Sequence, residues 1–145
     1  MPDTFTHLRY HLIFGTKNRS PLITLDVRED LYGYFAGVVS RFGGTLVAVG
    51  GMPDHVHLLV GLGPTHLISD LMHQLKGASS RWMNERGAEP FAWQNGYGAF
   101  SVSGSNVSKV ANYIHRQEEH HGRFTFQDEV AELLKRHGLE ADSPR

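Results

Sequence analysis

The sequence contains no cysteine among its 145 residues. Disulfide bridges and thiolate metal sites are therefore excluded, and a cytoplasmic location is the simplest expectation. The chain also lacks any apolar run of about 18 residues, which is the least that a membrane-spanning helix requires, so we expect no membrane partner. The first residues, Met1 to Thr4, show neither the basic nor the apolar region of a secretion signal.

An excess of charge is also missing, because the formal net charge is only −1. Proteins that bind nucleic acid usually carry a basic excess or a basic stripe, so any DNA contact here would have to come from a local patch. Histidine, by contrast, is abundant, with ten residues. We expect most of them to be solvated and only a few to take part in chemistry. Length and a hydrophobic content of 40% suit a single domain spanning 1–145.

Hydrophobic periodicity predicts four strands and four helices. The strands are expected around 6–14, 46–49, 54–60 and 100–103, and the helices around 26–42, 69–86, 106–120 and 125–137. This order is the split βαβ pattern of ferredoxin-like folds. We therefore expect an α+β fold, with a four-stranded antiparallel sheet, helices on one face, and a C-terminal tyrosine-bearing helix toward the other face.

Two local features refine this prediction. Asp26 is expected to cap the first helix, with Glu29 as the other half of a capping box. Gly50 to Pro53 is expected to form the turn of a hairpin between the second and third strands.

Two histidines stand two residues apart in the apolar stretch Asp54-His55-Val56-His57-Leu58-Leu59-Val60. Alternate residues of a strand point the same way, so His55 and His57 share one face, about 6.5 Å apart along the backbone. The apolar residues between them would pack on the helices. This spacing suits two ligands of one metal ion, but two polar residues on a solvated face would show the same spacing. The pair alone leaves both interpretations open.

Tyr113 and Gln117 are four residues apart in the third predicted helix and would lie on one helical stripe. A tyrosine on a polar stripe is most often an amphipathic surface residue. It becomes a candidate nucleophile only where a metal ion can stabilise its phenolate and polarise a phosphodiester.

The chain contains, in this order, the segments Pro-Asp-His-Val-His-Leu-Leu-Val, Leu-Met-His-Gln-Leu-Lys-Gly-Ala-Ser-Ser and Tyr-Ile-His-Arg-Gln. Together these three segments resemble the small single-tyrosine HUH transposases of insertion sequences. In the name HUH, U stands for a bulky hydrophobic residue, which is Val56 here. The similarity runs from Tyr10 to about Gln117 and so covers most of the chain.

The resemblance implies a DNA transposase that cleaves and rejoins single-stranded DNA through a 5′-phosphotyrosine. In this family His55 and His57 would bind a divalent metal, Mg²⁺ or Mn²⁺, with Gln117 as the third protein ligand and Tyr113 as the nucleophile. By ligand type alone, two imidazoles and an amide favour manganese, nickel or zinc over magnesium. The family also implies a homodimer that exchanges its tyrosine helices, in which case Tyr113 and the histidines could lie far apart within one chain.

The DNA partner implied by the family is a single strand with subterminal hairpins. The cations expected to contact its backbone are Lys17, Arg19, Lys76 and Arg81. The aromatic residues Phe91, Trp93 and Tyr97 could either stack on bases or form a satellite core.

Two other functions remain open from the sequence. One is a domesticated relative that processes dispersed palindromes with the same chemistry. The other is a non-catalytic, dimeric hairpin-binding protein with a vestigial metal site.

Overall fold

Four strands form one antiparallel sheet in the computed structural model of the protein, which describes residues 4–87, 89–120 and 125–139. They are β1 (Leu8–Gly15), β2 (Thr45–Met52), β3 (His55–Leu62) and β4 (Gly98–Val102). Their spatial order is β2-β3-β1-β4, so β1 and β3 are central.

Five helices accompany the sheet in the described part of the chain. They are α1 (Leu25–Phe42), α2 (Ile68–Arg86), α3 (Val107–His115), α4 (Gln117–His120) and α5 (Phe126–Arg136), with short 3₁₀ turns at Lys17–Arg19 and Gly104–Asn106. Because α1 connects β1 to β2 and α2 connects β3 to β4, the split βαβ fold class is confirmed. None of these described helices has the length and apolar character needed to cross a membrane.

The main core lies between one face of the sheet and helices α1 and α2. Alternation along β3 sends Val56, Leu58 and Val60 into this core, as their spacing predicts. The buried residues that join them are Leu12 and Phe14 of β1, Leu31, Phe35 and Val39 of α1, and Leu71, Met72 and Leu75 of α2. Phe91 and Trp93 belong to the same cluster, whereas Tyr97 is exposed, so the first two aromatic residues serve the core.

Helices α3 and α5 cover the opposite face of the sheet through two smaller apolar clusters. Ile114 of α3 packs against Ala48 and Leu59, and Phe126 and Leu133 of α5 pack with residues of β1 and β4. This face is therefore a second interior. The idea that His55 and His57 lie on a solvated face is wrong, because both side chains are 0% exposed.

The helix predicted at 106–120 is interrupted at Arg116, whose φ of −105° and ψ of 27° are not helical. The N–H of Arg116 is bonded to the carbonyls of Asn112 and Tyr113, which ends α3 at His115. Gln117 then begins α4. Tyr113 and Gln117 consequently lie on two helical segments.

The first helix begins at Leu25, with Thr24 rather than Asp26 as its N-cap. The carbonyl of Thr24 already accepts the N–H groups of Val27 and Arg28, so the first turn closes two residues earlier than expected. A capping box is present instead at α5, where the side chain of Thr125 accepts the Asp128 N–H and the Asp128 carboxylate accepts the Thr125 N–H.

Gly50 and Gly51 lie inside β2 and not in the turn that the sequence predicts, since Met52 pairs directly with His55. Gly50 pairs with His57 and faces α3. A Cβ atom at Gly50 would stand 2.2 Å from the carbonyl oxygen of Ile114. The missing side chain therefore allows the backbone of α3 to approach the sheet beside His57.

Replacing Gly50 with alanine should lower the free energy of unfolding by about 1–3 kcal/mol, because the added methyl group overpacks the contact with α3. Urea unfolding measures this loss. The matched control is Gly33→Ala in α1, where an added Cβ meets no atom within 4 Å. That control should stabilise the protein by about 0.5–1 kcal/mol. Equal stability of Gly50→Ala and the parent protein would contradict the close docking of α3.

Candidate active site

The imidazoles of His55 and His57 project from β3 toward one carboxylate on α5. The Nε2 atom of His55 lies 3.0 Å from Oε1 of Glu129, and Nε2 of His57 lies 3.1 Å from Oε2 of the same residue. The donor atoms of these three buried residues all lie within 4.8 Å of one another. They are close enough to bind a single metal ion.

Tyr113 and Gln117 contact the same carboxylate. The hydroxyl of Tyr113 donates to Oε2 of Glu129. The amide of Gln117 donates to Oε2 of Glu129 over 3.1 Å, and its Oε1 lies 3.2 Å from Nε2 of His55. The structure thus brings the tyrosine, the glutamine and both histidines together within one chain, where helix exchange would have left them apart.

Glu129 is a site residue that the sequence analysis missed. It lies beyond the segments that carry the resemblance, and neither spacing nor a motif connects it to the histidines. One signal was available, because Phe126, Val130 and Leu133 place an apolar stripe on α5 and Glu129 falls within that stripe. A carboxylate in the middle of an apolar helical face needs a buried partner.

His11 is a second residue that was missed, although it stands in the first predicted strand. It lies on the β1 face opposite to Leu12, it is 3% exposed, and its Nε2 lies 2.8 Å from Nδ1 of His57. Burial lowers the pKa of His11 to about 3, and the nearby charge of His57 lowers it as well. His11 is therefore a neutral imidazole at neutral pH.

Asp54 plays the corresponding part beside His55, with its Oδ1 atom 2.7 Å from Nδ1 of the ring. Burial opposes a charge on His55, but hydrogen bonds to Asp54 and Glu129 outweigh burial and raise the pKa to about 9. Each histidine of the pair thus has one ring nitrogen held by a neighbour and directs the other toward Glu129. This is the outer-shell arrangement that orients histidine ligands of metals.

The charges at the centre depend on one another. Burial alone would raise the pKa of Glu129, but hydrogen bonds from His55 and His57 outweigh it and hold the pKa well below the ordinary range. Burial raises the pKa of Tyr113, and the hydrogen bond and charge of Glu129 raise it further. The phenol is therefore protonated at neutral pH and needs added positive charge nearby before it can ionise.

The donor set fits a divalent metal ion. Two imidazole nitrogens and a carboxylate oxygen lie within 4.8 Å of one another, and the amide oxygen of Gln117 lies 3.2 Å from one of these nitrogens. The carboxylate supplies the charged oxygen ligand that neither the histidines nor the glutamine provide, which makes the set suitable for magnesium or manganese.

The four cations proposed for DNA contacts lie elsewhere. Lys76 and Arg81 belong to α2, on the opposite side of the sheet from Tyr113, and the ammonium of Lys76 donates to the carbonyls of Gln94 and Gly96. Lys17 and Arg19 are exposed in the turn after β1, where Arg19 has a positive φ of 53°. The structure does not bring these residues into the site.

Comparison with known proteins agrees with the geometry. The family model described as "Transposase IS200 like" matches residues 4–117. The ISDra2 transposase TnpA of Deinococcus radiodurans is 30% identical over 119 residues, which cover 77% of this chain and 85% of that protein. The transposase of insertion sequence element IS200 from Salmonella typhimurium is 27% identical over 126 residues, which cover 82% of each chain.

Solved structures give the same result. A crystal structure of a candidate transposase from Deinococcus radiodurans superposes with a TM-score of 0.67 at 32% identity, covering 79% of this chain and 93% of the other. A REP-associated tyrosine transposase bound to a REP hairpin has a TM-score of 0.64 at 15% identity over 90% of this chain and 86% of that one, and supports the fold. With a family match that covers most of its length, the chain belongs to the IS200-like transposases.

Proposed function

We propose that this transposase cleaves and rejoins single-stranded DNA through a covalent bond between Tyr113 and a 5′ phosphate. The observation that carries the proposal is the convergence of Tyr113, Gln117 and Glu129 on the histidine pair. A merely structural tyrosine would not need a buried carboxylate between two imidazoles. The same convergence favours catalysis over a role in hairpin binding alone.

In the proposed reaction the phenolic oxygen of Tyr113 attacks the phosphorus of a phosphodiester. The bond from phosphorus to the 3′ oxygen breaks, a 5′-phosphotyrosine forms and a 3′-hydroxyl is released. The phenol gives up its proton to water and the departing 3′ oxygen takes up a proton from water, so the step balances, while Glu129, whose pKa is held low, stays a carboxylate. A different 3′-hydroxyl can reverse the step and join new ends. Because one phosphoester replaces another, no nucleotide cofactor is required.

The residues that would hold the divalent metal, Mg²⁺ or Mn²⁺, are His55, His57, Glu129 and Gln117. When bound, the metal would polarise the scissile phosphate and stabilise the phenolate. Asp54 and His11 would keep the two imidazoles in position through their hydrogen bonds.

The remaining features stay predictions from the family resemblance. They are a single-stranded substrate with subterminal hairpins, a homodimer, and backbone contacts from Lys17, Arg19, Lys76 and Arg81. The chemistry proposed above does not depend on helix exchange, since the tyrosine reaches the histidines of its own chain.

Tyr113→Phe should abolish the covalent adduct, because the ring keeps its packing but loses the attacking oxygen. The assay mixes the protein, Mn²⁺ and single-stranded DNA from the region flanking its gene, and detects protein–DNA complexes that survive denaturation. Tyr97→Phe is the control, since Tyr97 is exposed and its ring lies beside Lys76 of α2. If Tyr113→Phe forms as much adduct as the parent protein, the nucleophile has been assigned wrongly.

Glu129→Gln should weaken Mn²⁺ binding by about tenfold or more, since the metal would lose its charged oxygen ligand. Electron paramagnetic resonance of free Mn²⁺ measures the affinity without any DNA. Glu132→Gln is the matched control, because Glu132 lies on the same helix with a side chain that is 54% exposed. Unchanged affinity in Glu129→Gln would exclude Glu129 as a ligand and leave the histidines and Gln117.

His11→Leu should weaken Mn²⁺ binding by about 10–100-fold, because His57 would lose the partner that orients its ring. His11→Gln should recover part of the loss, since an amide oxygen can accept a hydrogen bond from Nδ1 of His57. Electron paramagnetic resonance of free Mn²⁺ again measures the affinity, and His7→Ala is the control because His7 is exposed. A folded His11→Leu protein that binds Mn²⁺ normally would show that His57 needs no such partner.

A further inference from the structure

A cleft of about 410 Å³ leads from the surface to Tyr113, between β4, α3 and α5. Its buried part is lined by His11, Phe100 and Glu129, and its exposed part by Lys109 and Arg136. We name it the tyrosine cleft. We propose that the nucleotide next to the scissile phosphate lies in the tyrosine cleft, with Lys109 and Arg136 binding the DNA backbone. This inference rests on the proposed function of Tyr113.

Access to the nucleophile supports this route. Attack requires the phosphorus within about 3–3.5 Å of the phenolic oxygen, so the adjoining nucleotide must lie beside Tyr113 and continue to the surface. The neighbouring cleft on the other side of α5 is lined by Arg19 and Phe126 but not by Tyr113. The clefts beside α1 and α2 contain neither Tyr113 nor Glu129. The volume of the tyrosine cleft lies in the usual range for a site that holds one small ligand unit.

The two cations lie at the opening of the tyrosine cleft, where a bound DNA strand would leave the site of the reaction. Lys109 precedes Tyr113 by four residues and lies on the same stripe of α3. Arg136 follows Glu129 by seven residues, which is two turns along the same stripe of α5. Helix α3 thus places Tyr113 deep in the tyrosine cleft and Lys109 at its opening, and α5 likewise places Glu129 deep in the cleft and Arg136 at its opening.

The rest of the lining suits a nucleotide. Ser101, Ser103 and Asn106 offer hydroxyl and amide groups that can bond base edges or sugar oxygens. The ring of His137 stacks on Phe100 with a centroid distance of 4.7 Å, which gives the wall an aromatic surface.

A carboxylate also lines the tyrosine cleft and limits its affinity. Glu132 accepts from Nε of Arg136 over 3.1 Å, and the two side chains are 54% and 70% exposed. Such an exposed ion pair is weak, so a DNA phosphate can replace Glu132 as the partner of Arg136. This mixture of charges agrees with a formal net charge of −1 for the whole chain. It predicts moderate binding that depends on both cations.

The test measures binding of a fluorescent single strand from the DNA flanking the gene, by anisotropy, over a series of salt concentrations. All variants are made in the Tyr113→Phe protein, which prevents cleavage. Lys109→Gln and Arg136→Gln should each weaken binding about threefold to tenfold and each reduce the slope of log K against log salt by about 0.7, the value for one phosphate contact to a single strand. Glu132→Gln should tighten binding, because it frees Arg136.

Lys135→Gln is the matched control, since Lys135 is exposed on α5 next to Arg136 but does not line the tyrosine cleft. It should leave the affinity and the salt slope as they are. If Lys109→Gln and Arg136→Gln behave like this control, the strand takes another route and the inference is overturned, while adduct formation by Tyr113 would leave the proposed function intact. Failure of the protein to bind the strand or to form the adduct would overturn both.

Discussion

The carboxylate of Glu129, held between the imidazoles of His55 and His57, is the interaction on which the second interior of this protein depends. An unpaired carboxylate buried on the apolar face of α5 would be prohibitively unfavourable, and two imidazoles buried without partners would be costly as well. Together they satisfy one another, and removing one member of such a buried pair costs about 3–5 kcal/mol. The pairing thereby fixes α5 across the sheet and explains why the histidine pair is fully enclosed.

Two backbone features bring α3 and α4 to the same point. Gly50 lacks the side chain that would collide with the carbonyl of Ile114, so α3 settles directly on β2. The break at Arg116 then ends α3 and restarts the helix at Gln117, whose amide bridges His55 and Glu129. Tyr113, one turn before the break, reaches the carboxylate from the edge of the interior. The proposed nucleophile is thus held by the same group that holds the candidate metal ligands.

Hydrophobic periodicity predicted the sheet and its helices because each face of a strand or helix is a local pattern, and Val56, Leu58 and Val60 are buried where that pattern places them. Spacing marked His55 and His57 as a possible pair of ligands, and the family resemblance pointed to Tyr113 and Gln117. The structure brings these four residues together. Glu129 and His11 were missed because their partners are far away in sequence, 74 residues for Glu129 with His55 and 46 for His11 with His57. Gly50 was predicted as a turn residue because the contact that requires a glycine there, the approach of α3, is a tertiary contact that the local sequence does not show.

Burial of the histidine pair changes how its chemistry should be understood. On a solvated face, two imidazoles would compete with water for any cation, and a nearby phenol would ionise with the pKa of an ordinary tyrosine. In the interior, burial raises the pKa of Tyr113 and keeps His11 neutral, so the charges that remain act over short distances with little screening. A divalent cation placed there would act directly on the phenol. The enclosing helices are therefore part of the proposed chemistry, because they set the charge that Tyr113 experiences.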